Sequence, residues 1–274
     1  MITLLYEPSI QEVRSAIESV QPDVVKYALM TTFLCCARAG EVCAYKTAYD
    51  KTAHPTGQFL TARTETYTPN LSNSSELQAL MLKHLKTGTN INMAKLAKTK
   101  EKFLIFKVLT EKRNYEVLPD GSFKHVWYRE CAVPVNPIFE PWSQPLISYL
   151  QPRKGKPYFP LNRHDMWQAC KTVFKDFGYL IQPYNRAEII NGKYQYTIDK
   201  NGRKQLVKHL VEEKLKPAGV QALRHWRTTD LKRKNFTPEE INTYGGWTTQ
   251  GSQSRYDKML WQQTAPKLLT PTQL

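Results

Sequence analysis

Two arginines and a tyrosine, set in three widely separated stretches of the sequence, have the residue types that chemistry on a phosphodiester requires. The stretches are "ARAGEV" with Arg38, "QALRHWRTTDL" with Arg224 and "GGWTTQGSQSRY" with Tyr256. Guanidinium groups hold the non-bridging oxygens of a phosphate through paired hydrogen bonds and stabilise the charge of the transition state. A phenol with a pKa of about 10 is a weak nucleophile at neutral pH, so it needs such donors. Residues of these types could together support chemistry on a phosphate without a metal.

The segment that leads to the tyrosine is polar throughout. Between Trp247 and Tyr256 the sequence has no apolar residue, which is not the pattern of a core helix. A tyrosine held by such a segment can move into a site, whereas a packed aromatic side chain is fixed. The pattern therefore favours a mobile tyrosine.

The order of these stretches resembles the tyrosine recombinase (phage integrase) family. The R-x-x-E of Arg38 and Glu41 is similar to the first motif of that family, and the L-R-H around Arg224 is similar to the second. In the third motif a glycine-preceded His or Trp lies nine residues before the nucleophile, as Trp247 does before Tyr256. Two weaker similarities are "CAVPV" and "KPYFP". Each motif is weak alone, but the set in this order is fairly specific.

The resemblance implies a site-specific DNA recombinase that cleaves and rejoins DNA through a 3′-phosphotyrosyl intermediate, in the integration or excision of a mobile element. Arg38 and Arg224 would hold the phosphate, and Trp247 would pack or donate its indole N–H beside it. Tyr256 would be the nucleophile. The expected partners are double-stranded DNA and other copies of the chain, as a dimer or a tetramer. The resemblance implies no cofactor, no metal and no ATP.

The family also uses a lysine from a β-hairpin to protonate the departing 5′ oxygen. Lys112, just past the first predicted strand, is our choice for this role. Lys107 and Lys124 stay open, because the hairpin is longer than the family pattern and the alignment slips.

The second motif departs from the family at Gln221, where a histidine or lysine is usual. Glutamine can hydrogen-bond a phosphate oxygen but carries no proton at neutral pH. His225, four residues further on the same helical face, could substitute for it, or could orient the helix through hydrogen bonds. The departure motivates an alternative, a DNA-binding protein that kept the fold and lost the chemistry. A second alternative is a relaxing activity similar to that of type IB topoisomerases.

Family members usually carry a helical core-binding domain before the catalytic domain, but here the first motif arrives at Arg38. We therefore expect a single catalytic domain over 1–274 without this N-terminal domain, either as a catalytic fragment or as a minimal form of the family. The segment 259–274 could dock on a neighbouring protomer or fold back on its own core, through four large apolar residues: Leu260, Trp261, Leu268 and Leu269. The resemblance runs to about residue 258, apart from an insertion-like region near 48–100.

Composition narrows the class of partner. The 274 residues include 39 Lys and Arg against 24 Asp and Glu, a surplus of 15 positive charges, which favours polyanions and nucleic acid above all. The sequence has no long apolar span and no signal peptide pattern, so we expect a cytoplasmic protein without a membrane partner. The five cysteines lack metal-ligand spacing and predict reduced, mostly buried thiols.

The elements that must position these residues predict an α+β fold, mainly helical, with a small antiparallel sheet on one side. A capping box at Ser9 and Glu12 begins the first helix. We predict that Met166, Trp167, Cys170, Val173, Phe174 and Phe177 face inward and that Gly178 is the C-cap of their helix. The other expected elements are helices over 23–36, 75–86, 137–151, 164–177, 217–234 and 237–244, strands over 102–110 and 125–135, loops with one short strand over 48–75, and a hairpin turning at Asn201 and Gly202.

Overall fold

The computed structural model describes residues 2–4, 8–46, 56–89, 92–110, 115–117, 119–120, 123–125, 128–181, 184–212, 214–247 and 261–269. The α-helices of this part are α1 (Ile10–Glu18), α2 (Asp23–Leu34), α3 (Ala39–Val42), α4 (Ser74–Lys86), α5 (Met93–Leu96), α6 (Ser143–Leu150), α7 (Arg163–Val173), α8 (Val220–Arg233), α9 (Pro238–Gly245) and α10 (Trp261–Leu268). The strands are β1 (Ile2–Leu4), β2 (Thr61–Tyr67), β3 (Glu101–Leu109), β4 (Tyr115–Val117), β5 (Phe123–His125), β6 (Tyr128–Pro134), β7 (Gly178–Ile181), β8 (Tyr184–Ala187), β9 (Ile189–Ile190), β10 (Lys193–Tyr194), β11 (Tyr196–Ile198), β12 (Lys204–Leu206), β13 (Lys208–Val211) and β14 (Lys214–Pro217). The fold is thus a mixture of helices and small antiparallel sheets, as expected.

The first helix forms as the sequence indicates. The Ser9 hydroxyl accepts a hydrogen bond from the Glu12 backbone N–H, and the Glu12 carboxylate accepts one from the Ser9 backbone N–H. Val13 and Ile17 of α1 are fully buried, and α1 packs against α2. Because α2 is apolar on nearly every side, it lies in the core, where α7 and α8 also pack on it. One hydrophobic core extends from Val13 to Leu269 among the described residues.

A three-stranded antiparallel sheet has the order β2-β3-β6. The predicted strands at 102–110 and 125–135 are its β3 and β6, and the strand expected within 48–75 is β2. In the register of this sheet, Val108 pairs with Arg129 and Lys107 pairs with Glu130. Side chains alternate between the two faces of a strand, so Arg129 and Lys107 lie on opposite faces.

The prediction for α7 was partly wrong. Met166, Cys170 and Phe174 are fully buried, but Trp167 is 41% exposed and lies under the ammonium of Lys171, which is 4.1 Å from the ring centre. Positions 166 and 170 define the buried face of the helix, and position 167 is rotated about 100° away from it. Gly178 is not a C-cap, because α7 ends at Val173 and Gly178 begins β7.

The region between α7 and α8 contains far more strand than the single predicted hairpin. That hairpin is present as β11 and β12, with Gly202 at φ +73° in its turn. Around it lie the ladder β8–β13, the hairpin β9–β10 and a second three-stranded sheet, β1-β7-β14. The sequence signal missed these elements because the strands are short and because β9, β10 and β13 are largely exposed, without an alternating buried face.

Helices α8 and α9 begin and end within three residues of their predicted limits, and α9 has clear end signals. Thr237 caps α9 in a capping box with Glu240, and Gly246 ends it in the left-handed region at φ +64°. The helix expected over 137–151 is shorter than predicted, because α6 begins only at Ser143.

The C-terminal segment folds against its own chain. Trp261, Leu268 and Leu269 are buried, and α10 packs on β6 and α4. The indole N–H of Trp261 donates to Oε2 of Glu65 at 3.1 Å. Leu260 lies outside the described residues. Exchange of this segment between protomers, and a single domain over 1–274, stay predictions.

Candidate functional site

Glu41 is the centre of the candidate site. It is fully buried in α3, the single helical turn formed by "AGEV". Its Oε2 accepts a hydrogen bond of 2.9 Å from the backbone N–H of Arg38, and its Oε1 accepts one of 2.9 Å from Arg38 Nη1. A carboxylate at this position satisfies a helix N-terminus, so the R-x-x-E spacing has a local structural reason. It also leaves the Arg38 guanidinium partly exposed beside a buried negative charge.

Arg129 reaches the same carboxylate from the central sheet. Its Nη2 donates to Glu41 Oε2 at 3.0 Å, and its Nε donates to the backbone oxygen of Tyr244 at 2.8 Å. The residue is buried at the start of β6, on the sheet face opposite to Lys107. Arg129 thereby connects the first motif to the end of α9.

Arg224 reaches Glu41 from the first turns of α8. Its side chain is 1% exposed, and its Nη1 lies 3.7 Å from Glu41 Oε2. Its Nη2 donates to the backbone oxygen of Gly245 at 3.0 Å. Arg38, Arg129 and Arg224 thus surround one carboxylate, and we call these three residues with Glu41 the arginine cluster.

The arginine cluster carries more positive charge than its carboxylate neutralises. Three guanidiniums and one carboxylate leave two positive charges, and the guanidiniums of Arg129 and Arg224 are buried while that of Arg38 is partly exposed. Nη1 of Arg129 and both Nε and Nη1 of Arg224 are buried without a hydrogen-bond partner among the described residues. Buried donors without partners are costly, so an oxyanion bound here would be stabilised by them.

Burial and neighbouring charges act on the pKa of these arginines in different ways. Burial lowers the pKa of Arg224 to about 10, because the attraction of Cys36 and Glu41 does not offset desolvation and the repulsion of Arg129 and Arg38. Burial also acts to lower the pKa of Arg129, but the attraction and hydrogen bond of Glu41 together with the attraction of Cys131 and Cys35 outweigh it, so the pKa is raised. Both groups are therefore cations at neutral pH, and Arg224 is the less well compensated of the two.

The glycine pair before Trp247 has a packing explanation. A Cβ on Gly245 would lie 2.5 Å from the Trp247 ring, so only glycine allows the ring to fold back over the backbone. The ring lies 4.7 Å from the guanidinium carbon of Arg224, in cation–π geometry. A Cβ on Gly246 would lie 2.7 Å from the methyl group of Thr110. Because Thr110 directly follows β3, the end of that strand lies next to the glycine pair.

The other predicted residues fall into two groups. Gln221 and His225 are exposed on α8, and the described structure gives neither side chain a contact with the arginine cluster. Lys107 lies on the far sheet face, with its ammonium 3.9 Å from the centre of the Tyr128 ring. Lys112 and Tyr256 lie outside the described residues, as does the side chain of Lys124, whose backbone is in β5.

Sequence reasoning missed Arg129. The signal was available, because "RECAVPV" places an arginine on the same strand face as the apolar residues Cys131 and Val133. A cation at such a position must find a buried partner. No motif pointed to that partner, however, since Glu41 is distant in the sequence.

The five cysteines, Cys35, Cys36, Cys43, Cys131 and Cys170, are free and buried, as predicted. The described residues contain no group of His, Cys, Asp and Glu side chains that could hold a metal ion. None of the helices in the described ranges combines the length and apolar character that a bilayer crossing requires.

Comparison with known proteins gives no match, whether to protein-family models, to curated proteins or to solved structures.

Proposed function

We propose that this chain is a DNA strand transferase of the tyrosine recombinase type, which acts in the integration or excision of a mobile element. The observation that supports this best is the Arg224 guanidinium. It is buried beside Glu41 and Arg38, with two nitrogens that have no described hydrogen-bond partner. Such donors suit an anionic ligand that enters from outside.

A phosphodiester fits the cluster better than a larger multivalent anion does. It carries a single negative charge on two non-bridging oxygens, which the two surplus charges of the cluster can hold. Arg38, whose side chain is 21% exposed, is the donor nearest solvent, and Arg224 is the inner donor. The surplus of 15 positive charges over the chain favours a polyanion as the source of that phosphate.

In the proposed reaction the phenolic oxygen of Tyr256 attacks the scissile phosphorus. A bond from the tyrosine oxygen to phosphorus forms, and the bond from phosphorus to the 5′ oxygen breaks. The phenol loses its proton to water, and the 5′ oxygen gains a proton. The phosphotyrosine keeps the energy of the phosphodiester, so a second 5′ hydroxyl can reverse the step without ATP.

Lys112 is the proposed donor of the proton to the 5′ oxygen. It lies two residues beyond Thr110, whose methyl group is next to Gly246 and therefore near the arginine cluster. Lys107 is a weaker candidate, because it lies on the opposite face of β3 from Arg129. Lys124 stays open.

The experiment is a cleavage assay on a nicked duplex from which the 5′ product diffuses away. Wild-type protein should give a covalent protein–DNA band on a denaturing gel, and Tyr256→Phe should give none. Tyr27→Phe, at a partly buried tyrosine of α2 outside the arginine cluster, is the matched control and should give the band. If wild type binds duplex DNA but forms no band under any condition, the proposed chemistry is wrong.

A second candidate is a DNA-binding protein without the chemistry. The observation that favours it is Gln221, which is exposed on α8 three residues before Arg224 and cannot carry a proton at neutral pH. The cleavage assay separates the two functions. Recombination between two sites, as opposed to mere loss of supercoils, then separates a recombinase that assembles several copies on DNA from a relaxing enzyme.

A further inference from the structure

A branched β structure projects between α7 and α8. Residues 184–212, which we call the arm, consist of the ladder β8–β13 and the two hairpins β9–β10 and β11–β12. These three pieces meet at Glu188, Gln195 and Val207. The Glu188 N–H donates to Val207, the Val207 N–H donates to Gln195, and the Gln195 N–H donates to Glu188, all through backbone oxygens at 2.9 to 3.0 Å. The junction is a closed ring of three hydrogen bonds.

The arm has order without a core. Among its side chains that the structure describes, none is fully buried. Its conformation is held by turns instead. Asn191 and Gly192 both have positive φ in a two-residue hairpin loop, and Asp199 Oδ1 accepts from the backbone N–H groups of Asn201 and Arg203. A structure that contributes so little to the core is suited to contacting a partner.

Two features of the arm's surface point to the kind of partner. Its six cations outnumber its three acids, all six are exposed, and none forms an ion pair with a described residue: Arg186, Lys193, Lys200, Arg203, Lys204 and Lys208. One of the three acids, Asp199, is already occupied in its turn. Apolar side chains stand among these cations, including Ile190 at 51% and Ile198 at 73% exposure.

We propose that the arm binds duplex DNA as a second contact surface, separate from the arginine cluster. Unpaired cations on a projecting β-ribbon complement phosphates, and apolar side chains at hairpin tips are the type that enters a minor groove. A second copy of the chain is less suitable, because each copy carries the same positive surplus and the cations would face each other unpaired. The arm is followed in the chain by β14, and α8, which carries Arg224, begins three residues after β14. In this proposal one duplex contacts both surfaces.

This inference rests on the DNA-binding part of the proposed function and not on its chemistry. The test compares the full chain with a variant in which Lys193, Lys200, Arg203 and Lys204 are changed to glutamine. The matched control removes four exposed cations elsewhere, through Lys154→Gln, Lys156→Gln, Lys232→Gln and Arg233→Gln. Binding to a long duplex of random sequence is measured by fluorescence anisotropy over a salt series. Circular dichroism verifies that both variants are folded.

We expect the arm variant to reduce the slope of log K against log salt by about 3 to 4, and the control to reduce it less. Equal slopes for the arm variant and the control would overturn the inference. The inference that the arm binds DNA is also overturned if sedimentation shows that the arm variant loses self-association while its salt slope equals that of wild type. In that case the arm is an interface between copies of the chain. The covalent cleavage assay, run at low salt and saturating DNA, tests the proposed chemistry independently of the inference that the arm binds DNA. If the covalent protein–DNA band forms but the arm variant and the control have equal salt slopes, only the inference on the arm is rejected. If the arm variant has the lower salt slope but no covalent band forms, only the proposed chemistry is rejected.

Discussion

The guanidinium carbon of Arg224 lies 4.7 Å from the centre of the Trp247 ring, and Nη1 of Arg224 lies 3.7 Å from Oε2 of Glu41. The ring and the carboxylate thus both restrict the position of the guanidinium. Nε and Nη1, which are buried and have no hydrogen-bond partner among the described residues, are therefore held in place before any anion binds. Pre-placed donors of this kind act mainly on a transition state.

Arg224→Lys should therefore reduce the rate of covalent complex formation by about 10²- to 10³-fold, because an ammonium reproduces neither the fork nor the stacking of a guanidinium. DNA affinity should change much less. Single-turnover cleavage with saturating protein measures the rate. Arg233→Lys, at the exposed end of the same helix, is the control. Equal effects at the two positions would show that the loss is not specific to the site.

Glu41→Gln should destabilise the fold by about 3 to 5 kcal/mol, because it leaves buried guanidiniums without their counter-charge. Urea denaturation measures this loss. Added sulfate should restore more stability to this variant than to wild type, since the ion can replace the lost charge. Glu239→Gln, on the exposed side of α9, should be nearly neutral. A small loss at Glu41 with no sulfate effect contradicts the description of the cluster.

Gly245→Ala should destabilise the protein by about 1 to 3 kcal/mol, because the new methyl group overlaps the Trp247 ring. The two positions should also be coupled. Trp247→Ala removes the ring, so in that background the glycine substitution should cost far less. A double-mutant cycle from thermal or urea unfolding measures the coupling. Additive losses would mean that the ring does not rest on Gly245.

The pKa of Arg224, lowered to about 10, predicts a pH effect on anion binding. The group is charged below that pH and loses its proton as the pH rises through it. The advantage of wild type over Arg224→Gln in DNA affinity should therefore be constant near pH 8 and shrink as the pH passes about 10. Comparing the two proteins removes the titration of lysines and tyrosines that both share. A difference that stays constant to pH 11 would contradict the lowered pKa.

Lys112→Ala should slow cleavage by about 10²- to 10⁴-fold through loss of the general acid, and Lys107→Ala should have little effect. A substrate with sulfur in place of the bridging 5′ oxygen needs no proton on its leaving group. It should therefore restore cleavage by Lys112→Ala but not by Arg224→Lys. If the sulfur substrate instead restores cleavage by Lys124→Ala, Lys124 is the general acid.

The sequence determined most of the helices of this protein, because their end signals are local. Ser9 with Glu12 and Thr237 with Glu240 each form a capping box between neighbouring residues, and Gly246 supplies the left-handed residue that ends α9. The same holds for Gly202 in the turn of its hairpin. The excess of cations, and the choice of Arg38 and Arg224 as candidates, also came from the sequence.

The tertiary structure alone decided how those candidates meet. Arg38 and Arg224 come together because α8 brings Arg224 next to Glu41 of α3, which also binds Arg38. Arg129 joins them through the register of β3 and β6. The same register places Lys107 on the other sheet face. Sequence could not reveal the branched arm either, since its junction is a ring of backbone hydrogen bonds that any residue type can make. Local signals fix where an element begins and ends, but contacts between distant segments depend on packing and strand register, which leave no local signal in the sequence.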